Sequence, residues 1–520
     1  MGRTTVALIA GLWVIPISIL VNRIVPEPYM DEIFHIPQAQ QYCNGNFKSW
    51  DPMITTPPGL YYLSLAHIAS LFPGTLLLQT SFSDLCSTAI LRSVNGVLAV
   101  LCSILVYETI TELWPALDRK RATLYAVILS LYPLHWFFTY LYYTDLASLT
   151  LFLAMYLMSL KKRYLLSALL GALAVCIRQT NIIWMFFVAC TSVIDLIMNH
   201  HRRRGNVWKS NVTIGEKTVI SPEDFSANPG FRRRKGKSTV DDLTQVVPSD
   251  TATSRSQPSG LIDEIQLILI QVWHLKWELL ACFSPFLVVL GAFVAFVYWN
   301  GSIVLGAKEA HAVSPHFAQI LYFAVVSAMF TAPFHFTLGR AVSLLRSFWK
   351  NRPISFAFVF GAFAAGLLSV HFFRCFVAKA SDPASCSVII GLRHNYMFTD
   401  CCSIAHPYLL ADNRHYPFYI WRKVIKAHWA LKYVLVPLYV YSWISILDIL
   451  GKTKSRIWVL AYFLASAATL VPAPLVEFRY YTIPFFIFML NCASFEIRIV
   501  NFRKQQEWPE AGLLFPSTVL

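Results

Sequence analysis

The chain has 520 residues, 56% of them hydrophobic, 15% aromatic and only 14% charged. Soluble domains carry about 25% charged residues, and a chain of this length has too much surface for so few charges to cover, which excludes a water-soluble globule. The net charge of +15 does not point to nucleic acid. The positive residues come in short clusters between apolar runs, the pattern of cytosolic loops in membrane proteins.

The first apolar run, 6–25, follows Arg3 and ends at Asn22-Arg23-Ile24-Val25-Pro26. No small-x-small cleavage site follows, so it reads as an uncleaved first span. A polar loop comes next, and within it 58–72, preceded by Pro57-Pro58-Gly59, predicts an interfacial or re-entrant helix. Further apolar runs lie at 88–112, 122–141, 145–160, 164–178 and 181–199, then at 281–299, 319–338, 354–373, 431–450, 456–472 and 481–499. These patterns predict an all-α polytopic membrane protein with about twelve transmembrane helices. Several runs fall short of the ~20 residues of a straight crossing, so they must tilt or pack closely. The 200–260 stretch is polar, basic and without apolar period, and it reads as a disordered cytosolic loop. The organisation is then a membrane module at 1–199, a cytosolic loop at 200–280, a second membrane module at 281–500 and a cytosolic tail at 501–520.

Orientation follows from the basic clusters. With the N-terminus in the cytosol, the loops at 113–121, 161–163, 200–280, 339–353 and 451–456 fall on the cytosolic side, and they hold the strong Lys/Arg clusters. The loops at 26–87, 300–318, 374–430 and 473–480 face the other way, into the lumen. The eleven cysteines show neither zinc spacing nor the ladder of a small secreted domain, and no metal site is expected.

The luminal loops carry acids, histidines, aromatics and isolated arginines. The first reads Pro26-Glu27-Pro28-Tyr29-Met30-Asp31-Glu32-Ile33-Phe34-His35 and continues through Trp50-Asp51-Pro52 to Gly59. Charge beside the bilayer is costly and marks a site. Adjacent residues on a helix point about 100° apart, so Asp31 and Glu32 do different jobs. One takes a proton from an acceptor hydroxyl; the other holds the acceptor or caps a helix. The bland alternative is a solvated loop with an Asp cap. A second polar set lies in His406-Pro407-Tyr408 through Asp412-Asn413-Arg414-His415-Tyr416, in Arg178-Gln179-Thr180-Asn181, and in Glu477-Phe478-Arg479-Tyr480-Tyr481. Arg and His donors suit a phosphate oxyanion in a partly dry site, although any one arginine also fits snorkelling at a helix end. A transporter or lipid flippase, or a non-catalytic membrane subunit, is the competing class. Against a transporter, no internal repeat is visible and the ionisable residues gather at one face.

The runs from Glu27 to Gly59 and from His406 to Arg422 resemble the eukaryotic dolichyl-phosphate-glucose-dependent alpha-1,2-glucosyltransferases. Arg178 to Asn181, Gly306-Ala307-Lys308-Glu309-Ala310-His311 and Glu477 to Tyr481 look like signatures of the same family. The resemblance implies the type C glycosyltransferase architecture with a luminal active site, in the endoplasmic reticulum membrane. It implies a dolichyl-phosphate-glucose donor, a diglucosylated lipid-linked oligosaccharide acceptor, inversion at the anomeric carbon, and no cofactor or nucleic acid. An acidic residue of the first luminal loop would be the base; that role maps to Asp31 or Glu32, with Asp31 favoured. Arg414 and His415, then Arg178 and His406, would hold the donor phosphate. His35, Asp51, Lys308, Glu309, His311, Asp412, Asn413, Glu477 and Arg479 would line the substrate pocket. One departure stands out. About 29 residues from Arg374 to Cys402 separate segments that are nearly adjacent in the family, and they read as an insertion.

Overall fold

In the computed structural model the described residues are 2–73, 85–215, 260–306, 308, 318–350, 359–367, 419, 423, 427, 428, 430–473 and 477–492. Among them every regular element is helical. Five helices are long and apolar enough to cross a membrane: Gly2–Ile24, Thr88–Leu113, Asn181–His201, Lys276–Asn300 and Tyr433–Gly451. A bent pair, Arg119–Ser130 and Pro133–Thr139, makes a sixth if taken as one span. The chain is thus a polytopic, helical membrane protein.

It divides into two units, residues 1–192 with 277–520, and residues 193–276. In the first unit α1 (Gly2–Ile24) leads through a loop to two short helices, α2 (Glu32–Cys43) and α3 (Gly59–Leu71). The helix predicted at 58–72 is α3; α2 lies in what read as loop. The span α4 (Thr88–Leu113) follows, then the bent pair α5 (Arg119–Ser130) and α6 (Pro133–Thr139), then α7 (Thr144–Leu160), α8 (Tyr164–Ile177) and the start of α9 (Asn181–Gly215). The run at 122–141 breaks at Leu131-Tyr132-Pro133, with a 68° bend. A residue ahead of proline is disfavoured in helical geometry, and the proline lacks an amide hydrogen, so the helix ends and restarts there. The later part holds α11 (Lys276–Asn300), α12 (Ala318–Phe330), α13 (Ala332–His335), α14 (Leu338–Lys350), α15 (Leu431–Gly451), α16 (Arg456–Leu470), a 3-10 turn at Phe478–Tyr481, and α17 (Thr482–Leu490).

In the second unit α9 runs on to Gly215, into the segment read from composition as loop, and α10 spans Leu261–His274. The Asp263 carboxylate accepts the Gly260 amide hydrogen at 3.0 Å at the start of α10. The Arg374 to Cys402 stretch lies outside the described residues.

The helix exteriors are apolar and open: Leu8, Leu12 and Ile15 on α1, and Leu165, Leu169 and Leu173 on α8, are exposed. Such faces suit lipid in a membrane protein. The buried side of α4 sets Arg92, Asn95, Ser103 and Thr109 among apolar residues such as Leu91, Val94 and Val106. The C-terminal helix is tied to the N-terminal spans by backbone carbonyls. Tyr125 donates to Met489 O, and Trp114 donates to Leu490 O at 3.0 Å. These ties help bring the 477–481 segment onto the first loop, across more than 440 positions of sequence.

Candidate active site

The site is built on the joint between α1 and α2. Met30 sits in the left-handed region at φ 57°, a conformation that disfavours side chains with a Cβ. Its side chain packs on Phe138, Leu141 and Tyr143, which holds the turn in place. The next two residues are the acid pair, and the structure separates them.

Glu32 is wholly buried. Its carboxylate accepts from Arg92 Nε at 2.9 Å and Nη2 at 2.5 Å, from the Tyr142 amide at 2.5 Å and from the Tyr29 amide at 2.9 Å. Arg92 in turn donates to Asn22 Oδ1 at 3.1 Å and to the carbonyls of Val25 and Glu27 at 2.6 and 3.0 Å. Every acceptor site of Glu32 is thereby committed, and the clamp joins α1, α2, α4 and the 140–143 loop. Asn95 reinforces that loop by donating to Leu141 O and Tyr143 O at 2.5 and 3.0 Å. A buried pair like this costs about 3–5 kcal/mol when one partner is removed.

Asp31 occupies the N-cap position of α2, yet its side chain makes no capping bond. Its Oδ2 accepts from Arg479 Nη1 at 3.0 Å, and its side chain remains 36% exposed. Its amide donates to the Tyr143 hydroxyl at 2.7 Å. The bland reading of a capping aspartate therefore does not hold; the carboxylate faces a cation and stays part-exposed.

Arg479 also pairs through Nε with Glu477 and lies over the rings of Tyr143 and Tyr480 at 6.0 and 5.7 Å. Burial opposes its charge, but Glu477, Tyr480 and Asp31 outweigh burial and push its pKa up. Arg178 pairs with Asp145 and lies 5.4 Å from the Tyr480 ring. Two arginines thus approach one tyrosine, each with a carboxylate partner. His35 shares a hydrogen with Tyr61 through Nδ1 at 2.8 Å. Burial drives its pKa down to about 4, against the pull of Asp31 upward, so it is neutral at pH 7. Burial also raises the Tyr143 phenol, with Asp31 adding to the effect, so it stays protonated.

The wider frame comes from close backbone approaches. A Cβ on Gly59 would lie 2.4 Å from Cys176 O, and one on Gly306 would lie 2.3 Å from Pro52 O, so both positions require glycine. The Thr55 carbonyl accepts from Gln179 Nε2 at 2.6 Å and from the Leu305 amide at 3.2 Å. In this way the Asp51–Gly59, Arg178–Asn181 and Gly306 motifs converge.

Of the expected site residues, the structure brings together Asp31, His35, Arg178, Glu477 and Arg479. Asp51 instead turns its own loop: it accepts the Met53 amide at 2.8 Å, and its amide donates to Gln38. Lys308 is exposed and donates to Asn300 O at 2.7 Å. Glu309, His311, His406, Asp412, Asn413, Arg414 and His415 lie outside the described residues. Sequence reading missed Arg92, Asp145, Tyr143 and the Cys43–Cys86 disulfide. A signal existed for two of them, because Arg92 and Asp145 are lone charges inside or at the edge of apolar runs, where a charge calls for a partner.

A helical membrane protein with a part-exposed carboxylate beside an aromatic-packed arginine has the parts of a transferase acting on anionic lipid substrates at the membrane surface. The DIE2/ALG10 family profile matches residues 25–490, and the chain belongs to that family. It is 54% identical over 520 residues to an Arabidopsis thaliana protein named Dol-P-Glc:Glc(2)Man(9)GlcNAc(2)-PP-Dol alpha-1,2-glucosyltransferase, covering 99% of this chain and 95% of the relative. Proteins of the same name from Mus musculus and Drosophila melanogaster are 32% and 30% identical, over 90% and 92% of this chain and 85% and 87% of their own lengths. No solved structure matches.

Proposed function

We propose that this protein transfers glucose from dolichyl-phosphate-glucose to the diglucosylated lipid-linked oligosaccharide, forming the terminal alpha-1,2 linkage. The near full-length identity to the Arabidopsis thaliana enzyme carries this reading. The site geometry supplies the division of labour. Asp31 is the general base: it is accessible, uncommitted to capping, and held by Met30, Tyr143 and the Glu32 clamp. It takes the proton of the acceptor 2-hydroxyl as that oxygen attacks the anomeric carbon from the face opposite the phosphate. Arg479 and Arg178 offset charge on the leaving phosphate. Glu32 touches no substrate; it positions Asp31 through Arg92.

The reaction takes place on the luminal side of the endoplasmic reticulum membrane, in a protein of about twelve spans. Two independent features favour this side. The basic clusters fall on the opposite face, and the first loop holds the Cys43–Cys86 disulfide, a bond of oxidising compartments. The two membrane modules at 1–199 and 281–500 flank a cytosolic segment. Arg414, His415 and His406 are the further donor-phosphate candidates, and Asp412, Asn413, Glu309 and His311 candidates for the substrate pocket.

Lipid-linked oligosaccharides from cells lacking the protein test the reading. The expected outcome is accumulation of the species with two glucoses, cleared by the wild-type gene. An unchanged fully glucosylated profile would refute it.

A further inference from the structure

We propose that Arg479 is a shuttle: it holds Asp31 in the empty site and passes to the donor phosphate when the donor binds, which switches the base on. The proposal rests on the function given above and adds an order to it.

Both arginines of the described site are committed to carboxylates. Arg178 is paired with Asp145, and Arg479 with Asp31 and Glu477. A lipid-phosphate donor brings its own negative charge and competes with these acids for their arginines. The pairs differ in how readily they give one up. The Asp145 side chain is 7% exposed and that of Asp31 is 36% exposed. Baring a carboxylate costs least where water can reach it, so Asp31 is the acid that releases its arginine. Arg479 also keeps a second anchor, since its Nε remains on Glu477 while Nη1 leaves Asp31. The guanidinium also lies 6.0 and 5.7 Å from the rings of Tyr143 and Tyr480, which favour its charge whichever acid it faces.

The exchange changes Asp31. While Arg479 Nη1 donates to Asp31 Oδ2 a lone pair of that oxygen is committed, and once the guanidinium leaves that lone pair is open to an acceptor hydroxyl. Asp31 thus becomes a competent proton acceptor when a phosphate is present to hold the arginine. In the step itself, an acceptor oxygen lone pair forms the new bond to the anomeric carbon, and the hydroxyl proton goes to Asp31. The carbon–oxygen bond to phosphate breaks with its electron pair on the phosphate oxygen. Dolichyl phosphate then leaves with one more negative charge than the donor carried, which Arg479 holds more tightly than it held the donor.

Competition between Asp31 and phosphate for one arginine has a measurable consequence: removing the base tightens donor binding. In detergent-purified full-length protein, the affinity for labelled dolichyl-phosphate-glucose is measured for wild type, Asp31→Asn, Asp31→Ala, Arg479→Gln and Asp31→Asn/Arg479→Gln. Both Asp31 variants bind donor roughly two- to five-fold more tightly than wild type, the scale of a part-exposed ion pair, and both lose transfer. Arg479→Gln binds more weakly, and the gain from Asp31→Asn disappears in the double variant. Should Arg479→Gln not fold, Arg479→Lys takes its place, with raised donor KM, unchanged acceptor KM and a smaller Asp31→Asn gain. The shuttle is overturned if neither Asp31 variant tightens donor binding, or if the gain survives the loss of Arg479. A wild-type protein that transfers glucose while failing this test leaves the function standing and removes only the shuttle; one that transfers none overturns both.

Discussion

Two arginine–carboxylate pairs sit one residue apart along α2 and do opposite work. Arg92–Glu32 is sealed, with side chains 2% and 0% exposed. Arg479–Asp31 is open, at 17% and 36%. The sealed pair has every lone pair and every guanidinium N–H spoken for, in good part by backbone groups of the 25–29 and 140–143 loops. The open pair binds side chain to side chain across distant segments, with Tyr143 taking only the Asp31 amide. The sealed carboxylate is fixed by backbone dipoles, whereas the open one meets water and a side-chain cation. The 100° between successive helical positions lets two adjacent acids serve both ends.

The largest effect expected from breaking this contrast lies in turnover. Asp31→Asn leaves the protein folded and lowers glucose transfer by about 10²–10⁴-fold, the range for loss of a general base. Glu32→Gln and Arg92→Ala act on stability instead. Each strands a buried partner and costs about 3–5 kcal/mol, read as a lower melting temperature and less protein in the membrane. Glu32→Gln retains turnover per folded molecule far better than Asp31→Asn does. If the two acid variants lose turnover equally at matched folding, the division of roles is wrong.

The contrast also shows what the sequence made legible. The apolar runs predicted α4, α7, α8, α11, α15 and α16 to within a few residues, because a membrane span writes its length into uninterrupted hydrophobicity. The acid pair and the Glu477 to Tyr481 motif were visible as polar residues where polarity is costly. Their pairing was not, since Asp31 and Arg479 are brought together by helix packing that no local pattern encodes. Nor could composition tell a sealed glutamate from an open aspartate one residue earlier. The helix α2 escaped notice because Pro37 and three glutamines blur its apolar period. The break at Pro133 was readable from the proline but was masked by the apolar run on both sides.

The disulfide gives a smaller effect on the same loop. Cys43 ends α2, and Cys86 stands just before α4, 43 positions on. The bond therefore closes the segment that carries α3 and braces the far end of α2 from the site. Cys43→Ser lowers stability by about 2–4 kcal/mol, with faster proteolysis of the 44–85 stretch from the luminal side of sealed microsomes. Turnover of the folded fraction drops less than in Asp31→Asn, because Asp31 is held by the near end of the helix. Cleavage from the cytosolic side instead would reverse the orientation.

The smallest effect is expected from His35, one turn of α2 beyond Asp31. It is kept neutral among Tyr61, Tyr143 and the Asp31–Arg479 pair, with its pKa pushed down to about 4 from 6.5. The unfolded chain takes up a proton at this residue near pH 6.5, and the folded chain does not until about pH 4. Folding stability from this group is therefore complete above pH 6.5 and falls as the pH drops toward 4, by up to about 1 kcal/mol per pH unit. The melting temperature of purified protein between pH 7.5 and 5 reads this slope, and His35→Gln flattens it while keeping a hydrogen bond to Tyr61 within reach. A wild-type slope equal to that of the variant would mean that His35 titrates alike in the folded and unfolded chains and becomes charged once the pH falls below 6.5. It would then be a third cation beside Asp31, and the two-arginine account of the site would need a different charge balance.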